Sequence, residues 1–261
     1  MGKLRLGILG TGFLAEIITG AWKDGLLEEY ELVGVMGRNH ETAADLGRRM
    51  GCASCGSVEE LLSLKPDYIA EAASIPLVKE AAVKILSSGC NFIVLSIGAF
   101  ADGAFYEEVK QVAAAHGTKV YFASGAVGGF DVLRTVSLMG EATARITTRK
   151  GPDSLKDTPL FEESLMFEEE DRQVFAGTAA EAIIPLPAKV NVAVASSLAT
   201  VGPDAMKVDI FSVPGMIGDD HCIVAETEGV RATVDIYSST SAIAGWSVVA
   251  VLRNIVSPIV F

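Results

Sequence analysis

Three histidines occur in 261 residues, His40, His116 and His221, and the last stands among other reactive side chains. In GDDHCI, residues 218–223, His221 follows Asp219 and Asp220 and precedes Cys222. An imidazole has an unperturbed pKa near ~6.5, so it takes or gives a proton close to neutrality. The hexapeptide alone leaves two readings open, a working acid/base group or an ordinary polar residue ahead of an apolar run. A second stretch with chemical potential is GTGFLA, residues 10–15, which sets Gly10, Gly12 and Ala15 in the G-x-G-x-x-A spacing. There the first glycine permits a tight turn, the second lets backbone approach a pyrophosphate, and the alanine lets a helix pack close to a strand. CASC, residues 52–55, has no second CxxC to complete a zinc set, so it reads as two thiols in a loop and no metal site is read.

The elements around GTGFLA are those such a turn needs. LRLGIL, residues 4–9, is an apolar run, and a helix-like stretch from Leu14 to Trp22 follows the glycines. The helix N-terminus then offers N–H groups and the positive end of its dipole to phosphates. The pattern repeats: ELVGVM and a helix near 41–50, PDYIAEAA and a helix near 76–88, NFIVLS and a helix near 103–115, then TKVYFAS. Alternation of this length predicts an α/β fold with a Rossmann-type, doubly wound parallel sheet. Its expected cofactor contacts are Gly10, Gly12, Phe13, Leu14 and Ala15 in the first turn, with Ala73 and Ser74 after PDYIAEA. NAD-preferring sites end the second strand with an acid that binds the ribose hydroxyls. Here VGVMGRN puts Gly37 at that place, followed by Arg38 and Asn39. A guanidinium there can pair with a 2′-phosphate and stack on adenine, so NADP is expected in preference to NAD.

Composition narrows the function classes. Half of the residues are hydrophobic and the formal net charge is -12. An acidic surface repels nucleic acid and anionic membrane, which excludes both as expected partners. The longest apolar stretch, WSVVAVLRNIVSPIVF, is interrupted by Arg253, and no N-terminal segment reads as a signal peptide, so a cytoplasmic protein is expected. The four cysteines do not make a disulfide framework in a chain of this length. FEESLMFEEEDRQ, residues 161–173, reads as a solvated loop or short helix, with a lid as the alternative.

Four further blocks occur in order: VLSIGAFAD (94–102), VYFASGAVGGFD (120–131), TTRK (147–150) and VFAGTAAEAIIPLPAKVNVA (174–193). Together with GDDHCI they resemble the L-aspartate dehydrogenase family. The resemblance implies a nucleotide domain of residues 1–125 completed by 240–261. It also implies a smaller α+β catalytic and oligomerisation domain, 126–239, built on an antiparallel sheet. The strand candidates are TARITTR, AMKVDIFSV, HCIVAETE and VRATVDIY. Family members are typically homodimers through that sheet. Ser96, Gly98 and Ala99 would line the nicotinamide side, with Ser124, Gly125 and Ala126 nearby on the substrate side. His221 would be the acid/base; for Asp219 and Asp220 two readings stay open, carboxylates that raise its pKa or a solvated turn.

The implied activity is NAD(P)-dependent oxidoreduction at the CH–NH2 group of an amino acid, L-aspartate to iminosuccinate or oxaloacetate plus ammonia, or the reverse. Two departures fall where substrate is set. PAKVNV has Lys189 where the family has Asn, and keeps Asn191. YSSTS has Tyr237 and Ser238 for Asn and Pro, and keeps Thr240 and Ser241. Lys189, Asn191, Tyr237, Thr240 and Ser241 are therefore the substrate-contact candidates. The alternatives are a dehydrogenase or imine reductase of the same family with another substrate, and a non-catalytic NADP-binding sensor. SIGAF stands after the fourth strand where a large sugar-dehydrogenase family has E-K-P, which argues against that activity.

Overall fold

The computed structural model describes residues 2–186 and 190–260, so Lys189 lies outside the described residues. Six parallel strands make the first sheet: β1 (Leu4–Leu9), β2 (Tyr30–Met36), β3 (Ala53–Cys55), β4 (Tyr68–Glu71), β5 (Asn91–Val94) and β6 (Val120–Phe122). Their order is β3-β2-β1-β4-β5-β6. The strands are short and nearly continuous in apolar residues because helices cover both faces of a parallel sheet. In β2 only Glu31 is exposed. The helices are α1 (Phe13–Lys23), α2 (His40–Met50), α3 (Val58–Ser63), α4 (Ile75–Ser87) and α5 (Gly103–His116). Local signals bound them. Asn39 caps α2 by accepting from Glu41 N and Thr42 N, and Gly51 stops it in the left-handed region at φ +70°. The expected Rossmann-type sheet is present. CASC departs from the loop reading, since Ala53–Cys55 extends the sheet as its edge strand and Cys55 is buried. Burial also pushes the Cys52 thiol up to about 11.

The chain divides into two compact units, Met1–Gly125 with Ala242–Phe261, and Ala126–Ser241. The returning helix α9 (Ala242–Val256) belongs to the first. It packs on α1 where Gly245 faces Ile17, and a Cβ at Gly245 would lie 3.0 Å from the Ile17 side chain. Val248, Val249 and Leu252 join the core formed by Leu6, Ile8, Ile18 and Tyr30. The fully buried Tyr30 hydroxyl donates to Leu252 O at 2.8 Å, and Arg253 pairs with Glu29 at 2.9 Å.

The second unit carries a five-stranded sheet ordered β11-β10-β7-β9-β8. Its strands are β7 (Thr143–Lys150), β8 (Arg172–Thr178), β9 (Lys207–Ser212), β10 (Asp219–Thr227) and β11 (Val230–Ser238). The sheet is mixed and not purely antiparallel as expected, because β9 lies parallel to β7 while antiparallel to β8. The reason is connectivity: helices α7 (Ala179–Ala182) and α8 (Asn191–Leu198) carry the chain back after β8, so β9 inserts between β7 and β8. Helix α6 (Phe130–Leu138) packs against β10 and β11, where Gly129 (φ +67°) faces Val234. The acidic stretch forms a 3-10 turn, Glu163–Met166, tied by Arg172 to Glu162 at 2.8 Å and to Glu168 at 2.7 Å. Among the described residues no helix is long and apolar enough to cross a membrane.

The Tyr30–Leu252 bond gives a stability prediction. Tyr30→Phe removes a buried donor but keeps the ring packing, so it is expected to cost about 1 kcal/mol in a denaturant titration. An unchanged midpoint would show that the hydroxyl adds nothing to the packing and the Arg253–Glu29 pair that hold α9.

Candidate active site

The parallel sheet reverses its order between β1 and β4, and ligands of such sheets bind beyond the carboxyl ends of the strands at that point. Here the end of β1 meets the end of β4 through Gly10. Its φ is +127°, and a Cβ on it would run into the Ala72 carbonyl. Only glycine combines that backbone with that approach. Gly12, by contrast, begins α1 with open space around its missing side chain. Next to these glycines is a cavity of about 270 Å3, lined also by Gly37, Arg38, Asn39, Ala73 and Ser74. Ala15 is fully buried under α1. These residues fit a dinucleotide: a glycine cradle, room for a pyrophosphate and a cation at the far side. Phe13 and Leu14 are not part of the lining; Phe13 is exposed and Leu14 packs on the core.

Thr11 is a contact that motif reading misses. A Cβ at Gly37 would lie 2.5 Å from Thr11 Oγ1 and 2.7 Å from Thr11 Cγ2. The place where an acidic side chain would begin is thus filled by Thr11, whose hydroxyl is 3.0 Å from that of Thr42. Thr42 in turn donates to Asn39 O at 3.0 Å, and Asn39 spends its side-chain oxygen on the α2 cap. Arg38 is exposed beside this hydroxyl chain. The only sequence cue to Thr11 is its position between the two glycines.

The remaining first-unit candidates sit past strand ends. Ser96 follows β5 and is buried, with Gly98 and Ala99 buried in the 3-10 turn Ile97–Ala101. Ser124 and Gly125 follow β6, and Gly125 N–H donates to Ser247 Oγ at 3.0 Å, in a left-handed backbone at φ +66°. Ala126 opens the second unit.

In the second unit, strand alternation decides which groups stand with His221. On β10, His221 pairs in register with Thr148 of β7 and Ile236 of β11. Asp219 pairs with Lys150 two residues away, so His221, Asp219, Thr148 and Lys150 share one face. Thr148 Oγ1 is 2.9 Å from His221 Nδ1, and Lys150 Nζ is 3.3 Å from Asp219 Oδ1. His221, Thr148 and Lys150 are all buried. Among the described residues nothing in the chain hydrogen-bonds His221 Nε2, so Thr148 orients the ring and leaves that nitrogen for exchange.

Burial lowers the His221 pKa to about 4, with Asp219 pulling it up and Lys150 pushing it down. Asp219 acts in the expected direction but is outweighed by burial, and Asp220 does not act on the ring. Asp220 points to the opposite face, beside Asp235, and burial and that neighbour raise its own pKa. Tyr237 also lies on the face away from His221; it is exposed and donates to Ile217 O at 2.8 Å, so it does not stand with the imidazole. Asn191 opens α8, and Thr240 and Ser241 are exposed after β11, where Ser238 Oγ donates to Thr240 O at 2.7 Å. Thr148 and Lys150 were hidden inside TTRK, and only its pairing with DDH reveals them.

Known proteins decide the family. Residues 131–255 match the family described as the C-terminal region of aspartate dehydrogenase, and residues 6–123 match the NAD binding domain of homoserine dehydrogenase. The chain is 32% identical to an L-aspartate dehydrogenase of Methanococcus maripaludis, over 98% of each chain. It is 30% identical to one of Methanocaldococcus jannaschii, again over 98% of each. The chain belongs to the L-aspartate dehydrogenase family. The crystal structure of aspartate dehydrogenase from Thermotoga maritima superimposes with a TM-score of 0.76 at 26% identity, covering 99% of both chains. The protein is accordingly an NAD(P)-dependent dehydrogenase of the family that its sequence blocks resemble.

A pH prediction follows for His221. Its folded pKa, about 4, lies below the unfolded value, so the unfolded chain binds more protons between the two. The stability it contributes is present above pH ~6.5 and is lost as pH falls toward ~4, by on the order of 2–3 kcal/mol. Buried Glu71, whose pKa is raised, contributes with the opposite sign and is common to both proteins compared. His221→Gln is therefore expected to flatten the acid limb of a stability profile measured by urea unfolding; an unaltered limb refutes the assignment.

Proposed function

We propose that this enzyme interconverts L-aspartate with iminosuccinate, and by hydrolysis with oxaloacetate and ammonia, using NADP in preference to NAD. The observation that carries the reading is a buried, uncharged imidazole, held by Thr148, in a chain that aligns end to end with L-aspartate dehydrogenases. The nicotinamide, when bound, supplies the two-electron acceptor or donor for Cα. His221 does the proton work: as a neutral base through Nε2 it takes a proton from the substrate ammonium and gives it up to solvent, and once neutral again it takes a proton from the water that adds to the imine carbon. Returned to the nitrogen, that proton lets ammonia leave as the carbonyl forms. Lys150 and Asp219 offer the two signs of charge that an amino acid's carboxylate and ammonium require.

The NADP preference rests on two features together. Thr11 blocks the position of a ribose-binding acid, and Arg38 stands at the cavity edge as a partner for a 2′-phosphate. Residues Ser96, Gly98, Ala99, Ser124, Gly125, Ala126, Asn191, Thr240 and Ser241 complete the proposed cofactor and substrate contacts. A homodimer belongs to the same reading. The sheet face opposite His221 carries Arg145, Arg149, Asp209, Asp220 and Asp235, mixed charges able to pair with a second copy, and sedimentation of the purified enzyme in the ultracentrifuge tests it.

The primary test is loss of NADPH absorbance with oxaloacetate and ammonia, with NADH as control. Loss that requires both substrates, and falls about 100-fold or more in His221→Ala, is expected. No loss with clear NADPH binding would transfer the reading to another amino or imino acid. For the cofactor, Arg38→Ala is expected to raise the KM for NADPH about tenfold and leave that for NADH unchanged. Gly37→Asp should weaken both cofactors, and adding Thr11→Gly should restore NADH alone. Equal KM values for the two cofactors in the wild type would defeat the preference.

A further inference from the structure

Glu71 ends β4 with a carboxylate that is fully buried, in a strand otherwise apolar at that depth. Four donors converge on it. Oε1 accepts from Ala73 N at 2.7 Å and from Ser96 Oγ at 2.7 Å; Oε2 accepts from Ser96 N at 2.9 Å and Leu95 N at 3.1 Å. Burial pushes the carboxyl pKa up, and these hydrogen bonds oppose the push. The ionised form lets all four donors donate at once. The donors come from two segments. Ala73 lies in the turn 72–74 that lines the nucleotide cavity, and Leu95 and Ser96 lie in the turn after β5. Ala73, Leu95 and Ser96 lie beyond the ladder of the sheet, which ends at Glu71 and Val94.

We infer that Glu71 is a positioning residue for the dinucleotide: its carboxylate fastens the cavity-lining turn at Ala73 to the turn at Ser96 and accepts the hydrogen bond of the Ser96 hydroxyl. The consequence is a polarity assignment. A hydroxyl has one proton and two lone pairs, so with its hydrogen bond donated to Glu71 the Ser96 oxygen meets a ligand only as an acceptor. On the cofactor side the matching donor is the NH2 of the nicotinamide carboxamide. This step rests on the proposed placement of Ser96 on the nicotinamide side. An amide in place of the carboxylate would be the wrong partner. One of its two ends is itself a donor, and it would face donors whichever way it turned.

The test uses the full-length enzyme and NADPH fluorescence titration, with thermal midpoints and steady-state kinetics alongside. Glu71→Gln is expected to weaken NADPH about tenfold or more, with the KM for the oxo acid changed by less than about twofold. Glu71→Asp, which keeps the acceptors, should recover part of the affinity. Ser96→Ala should weaken NADPH about fivefold and leave unchanged the reduced 3-acetylpyridine analogue, in which a methyl group replaces the amide NH2. A folded Glu71→Gln that binds NADPH as the wild type does overturns the proposal. So does a Ser96→Ala that loses both dinucleotides equally. If Glu71→Gln does not fold, the Ser96→Ala comparison decides. A wild type that binds neither dinucleotide overturns the cofactor reading, and the proposal with it.

Discussion

The first unit is organised by one close approach, backbone against backbone at Gly10. A side chain there would meet the Ala72 carbonyl, so the ends of β1 and β4 can converge only over a glycine. That convergence is reinforced by Ala72 N donating to Leu9 O and Gly10 N donating to Met36 O, both at 2.8 Å. Three strand ends are thereby brought to one level, and the turns that leave them open toward the same cavity. The fixed level explains why chemistry is carried by turns while the strands below are almost wholly apolar. A parallel sheet holds its strand ends by packing on both faces, so polar groups gather toward the ends of the strands.

Buried polar groups in both units follow a common rule. Among the described residues, no side-chain nitrogen or oxygen that is wholly shut off from solvent lacks a hydrogen-bond partner. Satisfaction does not mean neutral pKa values, however. At His221 the nearby ion pair acts in opposing directions, since Asp219 favours the imidazolium and Lys150 disfavours it. With the two pulls opposed, desolvation decides, and the ring is held uncharged. Desolvation is the largest of the three influences, so the pull of Asp219 does not reverse it, and Asp220, on the opposite face, does not act on the ring.

What the sequence made legible divides along local and non-local lines. The strands, the glycine turn and the helices of the first unit could be read because each is signalled within a short window: an apolar run, GTGFLA, a cap such as Asn39 with Gly51 at the other end. The family could be read from blocks such as SIGAF and DDH. The mixed pairing of the second sheet could not, because the parallel partner of β7 lies more than fifty residues away in sequence and no local pattern distinguishes it. Face assignments failed for the same reason. Asp219 and Asp220 are adjacent letters, yet only one joins His221, and Tyr237 sits near in sequence to Thr240 while its strand turns it away. Thr11 and Glu71 were invisible for a different cause: each acts on a partner set by tertiary approach, Gly37 in one case and Ser96 in the other.

In the proposed reading, Thr11 also changes what kind of selectivity the cofactor site has. An exposed arginine is a weak discriminator alone, because water and salt screen its attraction for a phosphate. A missing acid is equally weak, since a vacant ribose site still admits NAD. Filling the acid's position with a threonine is a stronger device. The methyl and hydroxyl of Thr11 occupy the space at Gly37, and the bond to Thr42 ties them to the start of α2. An acid introduced there has to displace a hydrogen-bonded side chain, so the NAD-type contact is opposed by shape before any charge is counted. Arg38 then needs to supply only attraction for the 2′-phosphate, and the two effects, exclusion by shape and attraction by charge, act on different parts of the same ribose.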